Sequence, residues 1–189
     1  MPFAFCIYDP ATDRIRFHGT RLSLVEAHAR ALGLELLALP AEEDRFESVF
    51  LEALSRLRVM GAGGVVFGNI HLEDVRAWYE TRTKGAGLEH VEPLWGERPG
   101  ELVREVLALG YRPTVVSVDL ERCEPTWAGR ELTLSLVAEM EAKGVDPCGE
   151  RGEYHTFVFD GPLFHEPLRV EAGEAIEQNG HRLVDLENR

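Results

Sequence analysis

The chain has 189 residues, of which 44% are hydrophobic, and this is enough material for one well-cored domain with a small appendage. The formal net charge of −13 opposes binding to a phosphate backbone, because affinity for nucleic acid comes mainly from Lys and Arg. Neither a membrane-length apolar run nor a basic amino-terminal segment is present, so we expect a cytoplasmic protein without bulk nucleic-acid or membrane partners.

The first two thirds of the sequence alternate between strand and helix patterns. In chain order we predict a strand over 3–8, a helix with a Ser23–Glu26 capping box that ends at Gly33, a strand over 34–39, a helix over 44–57, a buried strand over 65–67, helices over 73–83 and 99–109, and a strand over 114–118. This alternation predicts an α/β fold with a mainly parallel sheet and helices on both of its faces.

The pattern changes after residue 119. A helix over 127–143 is followed by short alternating strands over 155–159, 168–171 and 181–186. We therefore place an approximate domain boundary near residue 125, between a domain over 1–125 and a smaller α+β lobe over 126–189. Because open α/β sheets bind ligands at the carboxyl ends of their strands, the loop that begins at Gly68 is one of the candidate site loops.

A dense run of polar residues lies in the second domain, where residues 147–164 read PCGERGEYHTFVFDGPLF. Taken alone, Glu150 and Glu153 fit a solvated turn as well as a ligand site. His155 begins a strand, where a lone His is more often structural than catalytic. The His and Asp residues of the run match no standard spacing of metal ligands, so we predict no metal site there.

The same run resembles the signature of the diphthine-ammonia ligase family, a GE-GE-(F/Y)-x-TFV-D-(G/A)-PLF pattern. Further landmarks of that family occur in order: Phe17-His18-Gly19, then Val66-Phe67-Gly68-Asn69-Ile70 with Asp74 and Arg76, then Pro93-Leu94-Trp95-Gly96. The family is similar to the PP-loop ATP pyrophosphatases, so the resemblance implies a HUP-like, Rossmann-like domain.

The resemblance also implies a reaction. ATP, expected with Mg²⁺, would adenylate a carboxylate on a small molecule or protein, and ammonia would then displace AMP to leave an amide. The implied catalytic residues are Glu150, Glu153, His155 and Thr156. The implied nucleotide-binding residues are His18, Gly19, Gly68 and Asn69. The implied substrate-binding residues are Asp74, Arg76, Gly149 and Gly152.

The sequence departs from the family in two respects. It has no counterpart of the SGGxDS loop and the first strand that hold the ATP phosphates, and Asn69 replaces the usual Asp. Three explanations stay open: a true start further upstream, a natural variant without ATP chemistry, or a second chain that fills the gap. An absent central strand leaves its neighbours unpaired, so we predict a homodimer through that sheet edge.

Two functional hypotheses from different classes follow. One is an ATP-dependent amide ligase. The other is a non-catalytic protein that binds a nucleotide or small molecule in the retained substrate pocket. A tRNA-modifying relative is a weaker third, disfavoured by the acidic charge and by the absence of a cysteine pair.

Overall fold

The computed structural model describes residues 2–16 and 18–188, so Phe17 of the first family landmark lies outside the described residues. The strands are β1 (Phe3–Asp9), β2 (Arg14–Ile15), β3 (Glu35–Pro40), β4 (Gly64–Val66), β5 (Glu89–Val91), β6 (Arg112–Asp119), β7 (Tyr154–Asp160), β8 (Val170–Gln178) and β9 (His181–Asn188). The α-helices are α1 (Leu22–Ala31), α2 (Phe46–Val59), α3 (Glu73–Gly85), α4 (Pro99–Ala108) and α5 (Leu134–Ala142). Within these described ranges, no helix combines the length and apolar character that a bilayer crossing requires.

The amino-terminal strands form two small sheets with parallel pairs. Strand β1 runs parallel to β3, and β4 runs parallel to β5. Helix α2 packs against both pairs, because its fully buried Phe50, Ala53 and Leu54 share one core with Ile7 and Val65. The α/β class predicted from the alternating pattern is confirmed.

A gap separates the two parallel pairs. A cavity of about 600 Å³ lies between β1 and β4, lined by residues 2–5 and 61–66 with Leu57. Val65 is buried in the core, but Val66 faces this gap and is 67% exposed. The predicted burial of the strand over 65–67 therefore holds for Val65 but is wrong for Val66, because nothing in the described chain covers the side of β4 turned to the gap.

The carboxy-terminal sheet is antiparallel, with the strand order β7-β6-β9-β8. We predicted strand 114–118 within the parallel sheet, but its observed counterpart β6 pairs antiparallel with both β7 and β9. Carboxy-terminal strands therefore take both hydrogen-bonding edges of β6. The boundary near residue 125 stays a prediction.

Two helices begin elsewhere than predicted. Helix α1 starts after Arg21, which pairs with Arg14 in an isolated bridge, so Ser23 lies inside the helix and caps nothing. Helix α5 starts at Leu134 rather than 127, with its cap supplied by the Thr133 hydroxyl. The segment before α5 bonds to β6 instead, since the Gly129 amide donates to the Val115 carbonyl at 2.8 Å.

The two ends of the chain are tied together. The guanidinium of Arg14 donates to Asp185 of β9 at 2.9 and 3.1 Å, and Arg21 donates to the same carboxylate at 3.0 Å. Helix α1 adds apolar contact, because Leu24 shares a core with Val184 and Leu186. These contacts place the amino-terminal layer against the carboxy-terminal sheet.

Candidate functional site

A cavity of about 810 Å³ lies where α3 faces the start of β7. Eight of the twelve site residues predicted from the sequence line it: His18, Asn69, Asp74, Gly149, Glu150, Gly152, His155 and Thr156. Their positions range from 18 to 156, so the fold gathers side chains from both halves of the chain around one space.

The other four predicted residues lie outside this lining. Gly19 lines a separate cavity of about 330 Å³ beside Arg14, and Gly68 is exposed after β4. Glu153 is buried, with 4% of its surface exposed, and its Oε2 accepts a hydrogen bond from the Arg151 amide at 3.0 Å. Arg76 lies outside the lining and pairs with the buried Glu92, while its own side chain is 36% exposed. The predicted roles of these four residues remain predictions.

The turn before β7 gives the cavity its shape. Gly149 and Gly152 adopt positive φ angles of 69° and 78°, where side chains other than that of glycine are strained. A Cβ atom at Gly149 would also lie 2.7 Å from the Tyr154 carbonyl oxygen. The turn brings the Glu150 carboxylate to the cavity wall, where its Oε2 accepts from the Ile70 amide at 3.3 Å.

The titratable groups of the lining have shifted pKa values. Burial raises the pKa of Glu150, and the nearby carboxylates of Asp146 and Glu153 add to that shift. Burial, together with His18 and His181, lowers the pKa of His155 to about 4. Both imidazoles that line the cavity are thus neutral at pH 7.

His18 and His155 form a pair on one side of the cavity. Their ring centroids are 4.7 Å apart in an edge-to-face arrangement, and partial enclosure by protein lowers the pKa of His18 as well. Since neither ring carries charge at neutral pH, the charged groups among the described lining residues are the carboxylates of Asp74 and Glu150, with no Lys or Arg.

Aromatic side chains form the opposite wall. Trp78 and Tyr79 of α3 line the cavity with Phe46, and the Trp78 and Tyr79 rings meet at 5.0 Å and 86°. Behind them Phe67 stacks on Tyr79 at 4.8 Å. The Arg82 guanidinium lies 3.8 Å from the centroid of the Trp78 ring, so one face of this ring is already occupied by a cation of the protein.

A buried acid lies behind the cavity. The side chain of Glu92 is 2% exposed, and its Oε1 accepts from Asn69 Nδ2 at 2.7 Å. Arg76 Nε lies 2.9 Å from Oε2 and His90 Nε2 lies 3.0 Å from Oε1. The Arg76 guanidinium also covers the Trp95 ring at 4.3 Å. Sequence reasoning missed Glu92 and His90; the available signal was two alternating polar residues directly before the Pro93-Leu94-Trp95 landmark.

The lining does not fit the phosphates of ATP. Phosphates bind where backbone amides, Lys, Arg or a metal ion supply positive charge. Here the first turn of α3 carries Glu73 and Asp74, and Glu150 faces it across the cavity, so the local charge is negative. Across residues 2–16 and 18–188, no group of three or more His, Cys, Asp or Glu residues could hold a metal ion.

Comparison with known proteins covers nearly the whole chain. The family model for the diphthamide synthase N-terminal domain matches residues 2–90, and that for the diphthamide synthase C-terminal domain matches residues 98–188. A diphthine–ammonia ligase of Mus musculus is 32% identical over 120 residues, which are 60% of this chain and 44% of that protein. One from Danio rerio is 28% identical over 141 residues, or 72% of this chain and 55% of that protein. The matched part of the chain thus spans about half the length of these relatives.

Proposed function

This chain belongs to the diphthamide synthase family, and on that premise we propose that its cavity binds the amine-bearing partner in an amide ligation. The relatives it matches are named diphthine–ammonia ligases. The observation that carries the proposal is the charge of the lining, with the carboxylates of Asp74 and Glu150 and no cationic side chain.

Size and chemistry agree on the class of ligand. A volume of about 810 Å³ lies in the usual range for small-molecule sites and is far larger than ammonia alone needs. The carboxylates accept hydrogen bonds from an ammonium group. The Trp78 and Tyr79 rings supply apolar contact to the rest of the ligand. A ligand with an apolar body and a protonated nitrogen can pack against the aromatic side chains and bind the carboxylates at the same time.

Three residues have chemical roles in this proposal. Glu150 holds the ammonium nitrogen and, because its pKa is raised, is a better base for its proton than an ordinary carboxylate. His155 stays neutral at pH 7 and accepts a hydrogen bond without adding positive charge. Thr156 lies beside it in the lining and offers a hydroxyl to the substrate.

Activation of the carboxylate requires a separate site. A carboxylate reacts with an amine only after it gains a leaving group, which ATP supplies as AMP when pyrophosphate departs. Because the cavity lining repels phosphate, we assign ATP and Mg²⁺ to groups other than this cavity. The same observation favours a second candidate function, a binding protein that captures the amine without ligase chemistry.

The binding test compares benzylammonium with its neutral isostere benzyl alcohol, followed by NMR of the Trp78 indole. We expect a dissociation constant of about 1 mM for benzylammonium and at least about tenfold weaker binding of the alcohol. Asp74→Asn and Glu150→Gln should each reduce this selectivity. Glu121→Gln, which alters an exposed acid outside the lining, should not.

The competing outcomes are distinct. Equal binding of the two probes would refute an amine site. Micromolar binding of Mg-ATP that is lost in Glu150→Gln would place the nucleotide in this cavity and contradict the assignment. Pyrophosphate release by the purified chain would select the ligase over the binding protein.

A further inference from the structure

The buried carboxylate of Glu92 accepts a hydrogen bond from the side-chain amide of Asn69, a residue of the cavity lining. The Asn69 Nδ2 group donates to Glu92 Oε1 at 2.7 Å, and this bond fixes the direction in which the amide is turned. The Asn69 Oδ1 atom then lies on the opposite side of the amide. Since Asn69 lines the cavity and Glu92 does not, an oxygen directed away from Glu92 is available to a ligand there.

We propose that Glu92 is a positioning residue, which holds Asn69 so that its oxygen accepts a hydrogen bond from the ammonium group of the ligand. The inference rests on the proposed function and deepens it, because it names a determinant of amine specificity outside the cavity. With Asn69 held in this way, the amide oxygen and the carboxylates of Asp74 and Glu150 all present acceptors.

The surroundings of Glu92 keep it in place. Its carboxylate lies 2.9 Å from Arg76 Nε, and the Arg76 guanidinium is itself stacked on Trp95. Arg76 Nε and Glu92 Oε2 make no hydrogen bond of good geometry among the described residues, so the attraction between them is one of charge. His90 contributes a further nitrogen at 3.0 Å and is fixed by its stacking on Phe67 at 4.9 Å. The acid cannot turn away from Asn69 without leaving these partners.

Glu92→Gln tests the proposal by reversing the amide. The new Gln side chain donates through its own NH₂ group to Asn69 Oδ1, and the Asn69 NH₂ group then turns into the cavity. We expect benzylammonium affinity to fall by about tenfold or more. Benzyl alcohol, which can accept from the reversed amide, should bind as before, so the selectivity ratio should collapse.

A second variant separates positioning from a merely structural role. In the Glu92→Gln, Asn69→Asp double variant, the Asp carboxylate accepts from Gln and still presents an oxygen to the cavity. We expect the double variant to recover benzylammonium affinity to the wild-type level or above. Glu89→Gln, which alters an exposed acid three residues earlier at the start of β5, is the control and should change neither probe. Failure of the double variant to recover binding would overturn the proposal.

The orientation can also be measured without a ligand. Hydrogen exchange of the Asn69 side-chain amide should be slow in the wild type, because Glu92 holds it, and fast in Glu92→Gln. Equal exchange in the two proteins would refute the positioning role. If the exchange differs but the wild type does not prefer benzylammonium, the positioning stands and the proposed function fails.

Discussion

At the scale of single residues, Glu150 carries a charge that the fold disfavours. Its raised pKa means that the folded protein binds the proton of Glu150 more tightly than the unfolded chain, whose carboxyl titrates near the ordinary value of 4.5. The resulting loss of stability is present at neutral pH and disappears as the pH falls through the folded pKa towards 4.5. A residue kept at a stability penalty on a cavity wall is a candidate for function.

Glu150→Gln should therefore make the protein more stable while it weakens amine binding. We expect the free energy of unfolding at pH 7 to rise by up to about 1 kcal/mol, with the gain shrinking near pH 4.5. Urea denaturation at the two pH values measures it. Glu121→Gln should show no such gain, and a loss of stability at pH 7 in Glu150→Gln would contradict the charge penalty.

Whereas burial raises the pKa of Glu150, it lowers that of His155. Its folded pKa of about 4 lies below the ordinary 6.5, so the unfolded chain takes up the proton first as the pH falls. The titration of His155 therefore takes nothing from the free energy of unfolding above pH 6.5. The protein loses stability through this residue as the pH falls from 6.5 to about 4. The wild-type free energy of unfolding should fall between pH 6.5 and about 4. In His155→Gln we expect that fall to be smaller by on the order of 1–2 kcal/mol. Identical pH profiles of the two proteins, measured by urea denaturation, would rule this out.

At the scale of elements, the turn before β7 depends on two glycines in different ways. Both have positive φ, but a Cβ at Gly149 would strike the Tyr154 carbonyl, whereas a Cβ at Gly152 would meet nothing within 4 Å. Gly152→Ala should thus cost about 1–2 kcal/mol from backbone strain alone. Gly149→Ala should cost more and should also lower benzylammonium affinity. Thermal denaturation compares them, and equal losses would show that the carbonyl contact is unimportant.

The sequence predicted local features better than distant ones. The turn with Glu150 and His155 was found because its motif is contiguous, and Gly33 ends α1 with a φ of 67° as its pattern indicated. The start of α1 was mispredicted because the long-range contacts of Arg21 decide it. Strand pairing of β6 was mispredicted for the same reason, since periodicity reports a strand but not its neighbours. Glu92 was missed because only the fold brings it to Asn69.

At the scale of the whole molecule, the gap between β1 and β4 supports the predicted association of two copies. Within the described residues, β2 pairs with Tyr8 and Asp9 and the Arg16 amide donates to the Ile7 carbonyl, so the same edge of β1 is open over residues 3–6. Open strand edges bind other strands through their free amide and carbonyl groups. We propose that the homodimer forms through this gap.

Val66→Lys tests the proposed dimer. Val66 is 67% exposed beside the gap, and a lysine on a strand edge opposes pairing with another chain. We expect the molar mass from light scattering to shift from dimer towards monomer. Leu163→Lys alters an equally exposed apolar residue, at 68%, outside the gap and should leave the mass unchanged. A wild-type monomer at all concentrations would refute the proposal.

The contacts of Arg14 and Arg21 with Asp185 constrain the order of events during biosynthesis. The Arg14 and Asp185 partners are separated by 171 positions, so at about 5–20 residues per second the ribosome delivers the acid about 10–30 seconds after the first arginine. Until then β9, the strand of the carboxy-terminal sheet that holds Asp185, is incomplete. Any premature stop codon before Asp185 would leave both arginines without that partner.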